Sequence, residues 1–157
     1  MARINKAARY RQLMEDANAY VAKEKPCVCM PSEAVALLRP LVLDAEQEMF
    51  YVLLMNTKNR VIDIHHVSTG LVDRIQLHAR EIFREAIVKN ATSVIFAHNH
   101  PSNDPTPSSA DISLTRQMVE AGKIIGIKVL DHVVIGKKTE INGKDYASFR
   151  EENLLTE

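Results

Sequence analysis

The stretch FAHNHPSNDPTPSSAD runs from Phe96 to Asp111. It contains two histidines, His98 and His100, and ends with Ser108 and Asp111 close together. His98 and His100 are two residues apart, and Asp111 follows His100 by eleven residues. Imidazole nitrogens and carboxylate oxygens are ligands that several divalent metals accept. Two histidines and one carboxylate leave a fourth position for water, as in catalytic rather than structural zinc sites. The types and spacing of these residues therefore favour a catalytic metal site.

Each of these residues also has an ordinary explanation when it is taken alone. A single histidine is usually a surface or core residue, Asp111 suits the first turn of a helix, and Ser108 could cap that helix. The letters HNH also suggest a nuclease, but the residues that name that motif are not contiguous. Asn99, between two histidines on an extended chain, is expected to point away from both. Spacing alone leaves a metal site and a polar loop open as alternatives.

A strand, a loop and a helix are predicted to position the candidate ligands. The apolar run SVIFAH, residues 93–98, is typical of a buried strand, so that His98 and His100 would point the same way at its end. Three prolines restrict the loop that follows. A helix is predicted from about Ser109 to Glu120, fading at Gly122, with Asp111 in its first turn.

The remaining pattern predicts an α/β fold, with a mixed β-sheet flanked by helices. A helix is expected over about residues 5–23, a short one from a Ser32 cap to Leu38 with a stop at Pro40, and a third over 76–90. Strands are expected over residues 48–56 and 61–68, which form a hairpin, over 127–136, and briefly near the C-terminal end. From the hairpin onward, the predicted order is β-β-α-β-α-β.

The composition narrows the class of protein. The 157 residues fit one domain, and a hydrophobic content of 46% supports a core. The formal net charge is +0, which does not support non-specific binding to DNA. No signal peptide or membrane span is recognisable, and the C-x-C of Cys27 and Cys29 fits reduced thiols better than a disulfide or a zinc site. We therefore expect a cytoplasmic protein without a membrane partner.

The stretch AHNHPSNDPTPSSAD, with EMFYVLLMNTKNRVI before it and VLDHVVIG after it, closely resembles the RadC family. That family carries a JAMM-type (MPN+) metalloprotease domain, and the resemblance covers about residues 32–149. It implies a JAMM/MPN+ (cytidine deaminase-like) architecture for residues 32–157, with residues 1–31 as an N-terminal helical arm. The glycine hairpin pattern of the family's N-terminal helix-hairpin-helix region is not found here, so a short, JAMM-only form is expected.

The resemblance also implies roles for individual residues. One Zn²⁺ per chain would be bound by His98, His100 and Asp111. Glu48 would be the general base, with Glu46 as a weaker candidate. Ser108 would hydrogen-bond the bound water or stabilise the tetrahedral intermediate.

Asp131 and His132 match a DH pair that follows the second helix in the RadC family. We expect them to orient a metal ligand, because ligand histidines usually need such partners. The alternative is a satisfied polar pair at a strand edge. A further adjacent pair, His65 and His66, would point to opposite faces of a strand, and neither is expected to be a ligand.

The implied activity is zinc-dependent hydrolysis of a peptide or isopeptide bond in an unknown protein or peptide substrate. The alternative is a DNA-associated protein, nominally linked to DNA repair or to mobile elements, that uses the domain for binding rather than turnover. A metal-binding scaffold without turnover is a third hypothesis, which the presence of Glu48 and Ser108 disfavours. Two residues depart from the family pattern, since Asn103 replaces a usual glycine and His78 a usual proline.

Overall fold

A computed structural model describes residues 5–70 and 77–155 as an α/β fold. The helices are α1 (Lys6–Glu24), α2 (Pro31–Val42), α3 (Ala79–Val88) and α4 (Ser109–Ile125). The strands are β1 (Met49–Met55), β2 (Val61–Thr69), β3 (Ser93–Asn99), β4 (Lys128–Ile135) and β5 (Tyr146–Ser148). They form one sheet in the order β2-β1-β3-β4-β5, in which only the β3–β4 pair is parallel. The predicted mixed sheet with flanking helices is confirmed.

The two faces of the sheet are covered by different helices, which explains why β1 is apolar throughout. All seven residues of β1 are buried. Side chains alternate along a strand, so Tyr51 and Leu53 pack in the core that includes α1 and α2. Val52 and Leu54 pack in the core that includes α3 and α4. The sheet is therefore the middle of three layers.

Helix α2 differs from the prediction at both ends. Ser32 does not cap it, because the helix begins at Pro31, whose missing N–H costs nothing at a first helical position. The Glu33 carboxylate instead accepts hydrogen bonds from the backbone N–H groups of Cys29 and Met30. Nor does Pro40 stop the helix. Pro40 lies in the last turn of α2 and is exposed. Because proline has no backbone N–H, one intrahelical hydrogen bond is missing there, near the end of the helix.

Helix α4 continues past Gly122, where it was predicted to fade. It ends at Ile125, and Gly126 takes the left-handed conformation that closes a helix, with φ 81°. Gly122 is a packing residue: a Cβ there would lie 2.5 Å from the carbonyl oxygen of Ile127. The absence of a side chain therefore lets α4 approach the beginning of β4.

The N-terminal helix packs on the sheet. Val21 is buried in the α1/α2 core, and Leu13, Met14 and Ala17 pack against it. The proposed boundary after residue 31 stays a prediction, but α1 contacts the body of the domain. The predicted start of the third helix at Gln76 lies outside the described residues. Among the described helices, none is long and apolar enough to span a bilayer.

Candidate metal centre

The end of β3 and the start of α4 bring the predicted ligands together. His98 is a buried residue of β3 that stacks on Phe50, on the face covered by α3 and α4. His100 follows the strand, and its backbone N–H bonds the carbonyl of Ile135 at the end of β4. Asp111 is buried in the first turn of α4. The alternation of the strand and the helix that packs over it therefore direct all three side chains to one place.

The ligand atoms form a compact group to which Glu48 also contributes. The Nε2 atom of His98 lies 3.0 Å from Nε2 of His100 and 3.3 Å from Oδ1 of Asp111. His100 Nε2 is 3.4 Å from Asp111 Oδ2, and Glu48 Oε1 is 3.7 Å from His98 Nε2. The four ligand atoms all lie within 4.8 Å of one another, which is compatible with one metal ion. Glu46, the weaker candidate, is exposed and forms an ion pair with Lys6.

A buried chain of hydrogen bonds determines which nitrogen of His98 carries a proton. The Thr115 hydroxyl donates to the carbonyl oxygen of Asp111 at 2.6 Å, so it must accept from Nδ1–H of His132, also at 2.6 Å. Complete burial holds the pKa of His132 well below its usual value, so its ring is neutral. Its Nε2 then accepts from Nδ1–H of His98 at 2.8 Å. Nε2 of His98 is left with a lone pair that faces the ligand group.

His100 presents the same nitrogen to the group. Its Nδ1 lies 2.8 Å from the carbonyl oxygen of Asp104, which can only accept, so Nδ1 carries the proton and Nε2 the lone pair. Two imidazole lone pairs and two carboxylates thus converge on one small volume. Such an arrangement is electrostatically unfavourable unless a cation or a proton lies between the groups. The donor set therefore fits a divalent metal.

The ionisation of the ligands is consistent with cation binding. Burial by itself would raise the pKa of the Asp111 carboxyl, but hydrogen bonds with His100 and His98 outweigh it and hold this pKa well below the usual range. Burial lowers the pKa of His100, yet its hydrogen bonds to Asp111 and Asp104 leave the net pKa raised. A proton and a metal would compete for Nε2 of His100, so metal affinity should fall as the pH drops through that raised pKa.

Ser108 caps α4 and is hydrogen-bonded to Asp111 of the ligand group. Its Oγ accepts a hydrogen bond from the Asp111 backbone N–H at 3.1 Å, while its own N–H donates to Asp111 Oδ2 at 2.7 Å. This reciprocal pair is a capping box. Ser108 therefore caps the helix and also lies beside Asp111, a proposed ligand. The sequence alone presented these two roles as alternatives.

Of the predicted partners of the ligands, the structure brings His132 to the site but not Asp131. Adjacent residues of a strand face opposite sides, and Asp131 bonds the Ser148 hydroxyl and the Arg150 backbone N–H. Asp131 thus stabilises the turn that begins at Ser148. Sequence reasoning missed Thr115. The available signal was its position four residues after Asp111, which places both on one face of α4.

Comparison with known proteins agrees with this geometry. A family model described as RadC-like JAB domain matches residues 28–154 of the chain. The chain belongs to the RadC family. The match covers all five strands, α2 to α4 and the whole ligand group. The family assignment made from the HNHPSNDPTPSSAD region is therefore confirmed.

Several RadC-family relatives carry the name UPF0758 protein. The chain is 46% identical to one from Symbiobacterium thermophilum over 129 residues, 82% of this chain and 53% of the relative. It is 46% identical to one from Desulforudis audaxviator over 112 residues, 71% of this chain and 49% of the relative. A third, from Clostridium acetobutylicum, is 40% identical over 144 residues, 92% of this chain and 60% of the relative. The chain spans roughly half the length of these relatives.

The hydrogen-bonded chain behind His98 leads to a testable expectation for this RadC-family site. Thr115→Val keeps the shape but leaves Nδ1–H of His132 without its acceptor, so the orientation of His98 is no longer enforced. We expect the affinity for a divalent metal to fall by about tenfold or more, as is typical for partners of ligand histidines. Competition against a chromophoric chelator measures it. Thr92→Val is the matched control, because the Thr92 hydroxyl also bonds a backbone carbonyl, that of Met55. Equal affinities in all three proteins would rule out this role.

Proposed function

We propose that the chain is a zinc-dependent metallohydrolase of the JAMM type, which cleaves a peptide or isopeptide bond. The observation that carries the proposal is the convergence of two imidazole lone pairs and the Asp111 carboxylate, with the Glu48 carboxylate beside them. Membership of a JAB-domain family supports it. In this proposal His98, His100 and Asp111 hold one Zn²⁺ and leave a coordination position open.

Each residue of the group has a defined task in such a hydrolysis. A bound zinc ion would lower the pKa of a water molecule toward neutrality and polarise the scissile carbonyl. Glu48 would take the proton of the attacking water and give it to the leaving amine. The Ser108 hydroxyl accepts from Asp111 with a lone pair, so its hydrogen is able to donate to the developing oxyanion.

Metal removal tests the proposal. Protein purified without added metal or chelator is analysed for its elements, then assayed on a panel of peptides and of isopeptides joined through a lysine Nζ. We expect about one zinc per chain, cleavage that a chelator abolishes, and recovery on adding zinc. A folded protein that fails to bind zinc would overturn the proposal. Salt-dependent DNA affinity in that protein would then support the DNA-associated alternative.

A further inference from the structure

The side chain of Asn99, the middle residue of HNH, forms hydrogen bonds with the backbone on both sides of Glu48. Its side chain is buried, with 4% of its surface exposed. The Oδ1 atom accepts from the Met49 backbone N–H at 2.8 Å, and Nδ2 donates to the Gln47 carbonyl at 3.1 Å. One amide group thus holds the residue before Glu48 and the residue after it.

These two hydrogen bonds of the Asn99 side chain lie where the backbone pairing of β1 and β3 ends. The last paired residues are Phe50 and His98. Beyond them β3 stays paired only with β4 on its other edge, where the N–H of His100 bonds the Ile135 carbonyl. The Asn99 side-chain amide therefore supplies one more pair of hydrogen bonds between the two segments, in place of backbone–backbone hydrogen bonds. On the opposite side, the carbonyl of Glu48 accepts from the Gly70 N–H at 2.8 Å.

We propose that Asn99 is a positioning residue for Glu48, and this inference rests on the proposed function of Glu48 as the proton acceptor. The two contacts need one acceptor and one donor on adjacent atoms, which a side-chain amide provides. Aspartate would keep the acceptor and lose the donor, and leucine would lose both. Asn99 alternates with His98 along β3, so it acts from the other face of the sheet without entering the ligand group.

Asn99→Leu, loaded with Co²⁺, separates a role in positioning Glu48 from a role in folding the metal site. We expect Co²⁺ affinity to stay within about threefold and the visible absorption of tetrahedral Co²⁺ to be retained, because the ligands keep their own supports. In crystal structures of the loaded proteins the Glu48 carboxylate should move by about 1 Å or more. With a cleavable substrate, kcat should fall about 100-fold at unchanged KM, the typical cost of such a misplacement.

Asn18→Leu is the matched control, because the Asn18 side chain also accepts from a strand backbone, that of Ile64 in β2. It should leave Glu48 and the Co²⁺ spectrum unchanged. If Asn99→Leu does not fold, Asn99→Asp is used, with a smaller displacement of Glu48 expected. An unmoved Glu48 would overturn the inference, as would a loss of Co²⁺ affinity like that of a ligand mutant. If the wild type cleaves nothing, the proposed function fails, whereas the position of Glu48 still decides this inference.

Discussion

Glutamine in place of Glu48 is expected to lower kcat by about a thousandfold while zinc stays bound, since general acid–base catalysis contributes about 10²- to 10⁴-fold. Glutamine has the same size and still accepts a hydrogen bond from water through its carbonyl oxygen, but it cannot take up the proton. The three proposed ligands are supported by β3, its loop and α4. Their positions therefore do not depend on the charge of Glu48.

Steady-state kinetics and elemental analysis of the same preparation measure this effect. Glu46→Gln is the matched control, because Glu46 lies two residues away on the same segment, is exposed and pairs with Lys6. It should keep full activity. A Glu48→Gln protein that retains zinc and hydrolyses at the wild-type rate would mean that another group accepts the proton.

Alanine in place of His100 is expected to reduce the zinc content from about one ion per chain to near zero. Only two of the three proposed protein ligands remain, and catalytic zinc sites use three. The stabilisation by zinc should vanish as well. For the wild type we expect a stabilisation of about 4 kcal/mol when free zinc is a thousandfold above Kd.

Elemental analysis and thermal unfolding with and without zinc test this expectation. His65→Ala is a suitable control, because His65 lies on the edge strand β2 and does not belong to the ligand group. It should bind zinc like the wild type. Equal zinc content in His100→Ala and the wild type would show that the ion is held elsewhere.

The parts of the site that were predictable lie close together along the chain. His98, His100 and Asp111 belong to one strand–loop–helix unit, and the alternation of a strand fixes which side its residues face. The same rule predicted correctly that Asn99 points away from the histidines. The partners of Asn99 could not be predicted from the neighbouring sequence, because Gln47 and Met49 lie about fifty positions earlier.

The parts that were missed depend on contacts between distant elements. Thr115 gains its role from His132 on a neighbouring strand, 17 residues later. In the pair Asp131 and His132, the register of β4 beside β3 determines which member faces His98, because His132 is paired with Phe96, two residues before His98. Gly122 resembles a helix end in the sequence because glycine often follows the last helical residue, but Gly126 takes that position and Gly122 instead allows the close approach of Ile127.

The separation of Glu48 from the other three residues has a consequence for the order of assembly during folding. His100 and Asp111 are joined by a short, proline-restricted loop, so bringing them together costs little chain entropy. Glu48 is brought to them by the pairing of β1 with β3, whose partners are roughly forty to fifty residues apart in the sequence, so its closure costs more chain entropy. We therefore expect the three proposed zinc ligands to come together at an earlier stage of folding than the proposed general base. Under the proposed function, a chain that is still folding would be able to bind the ion before it could hydrolyse its neighbours.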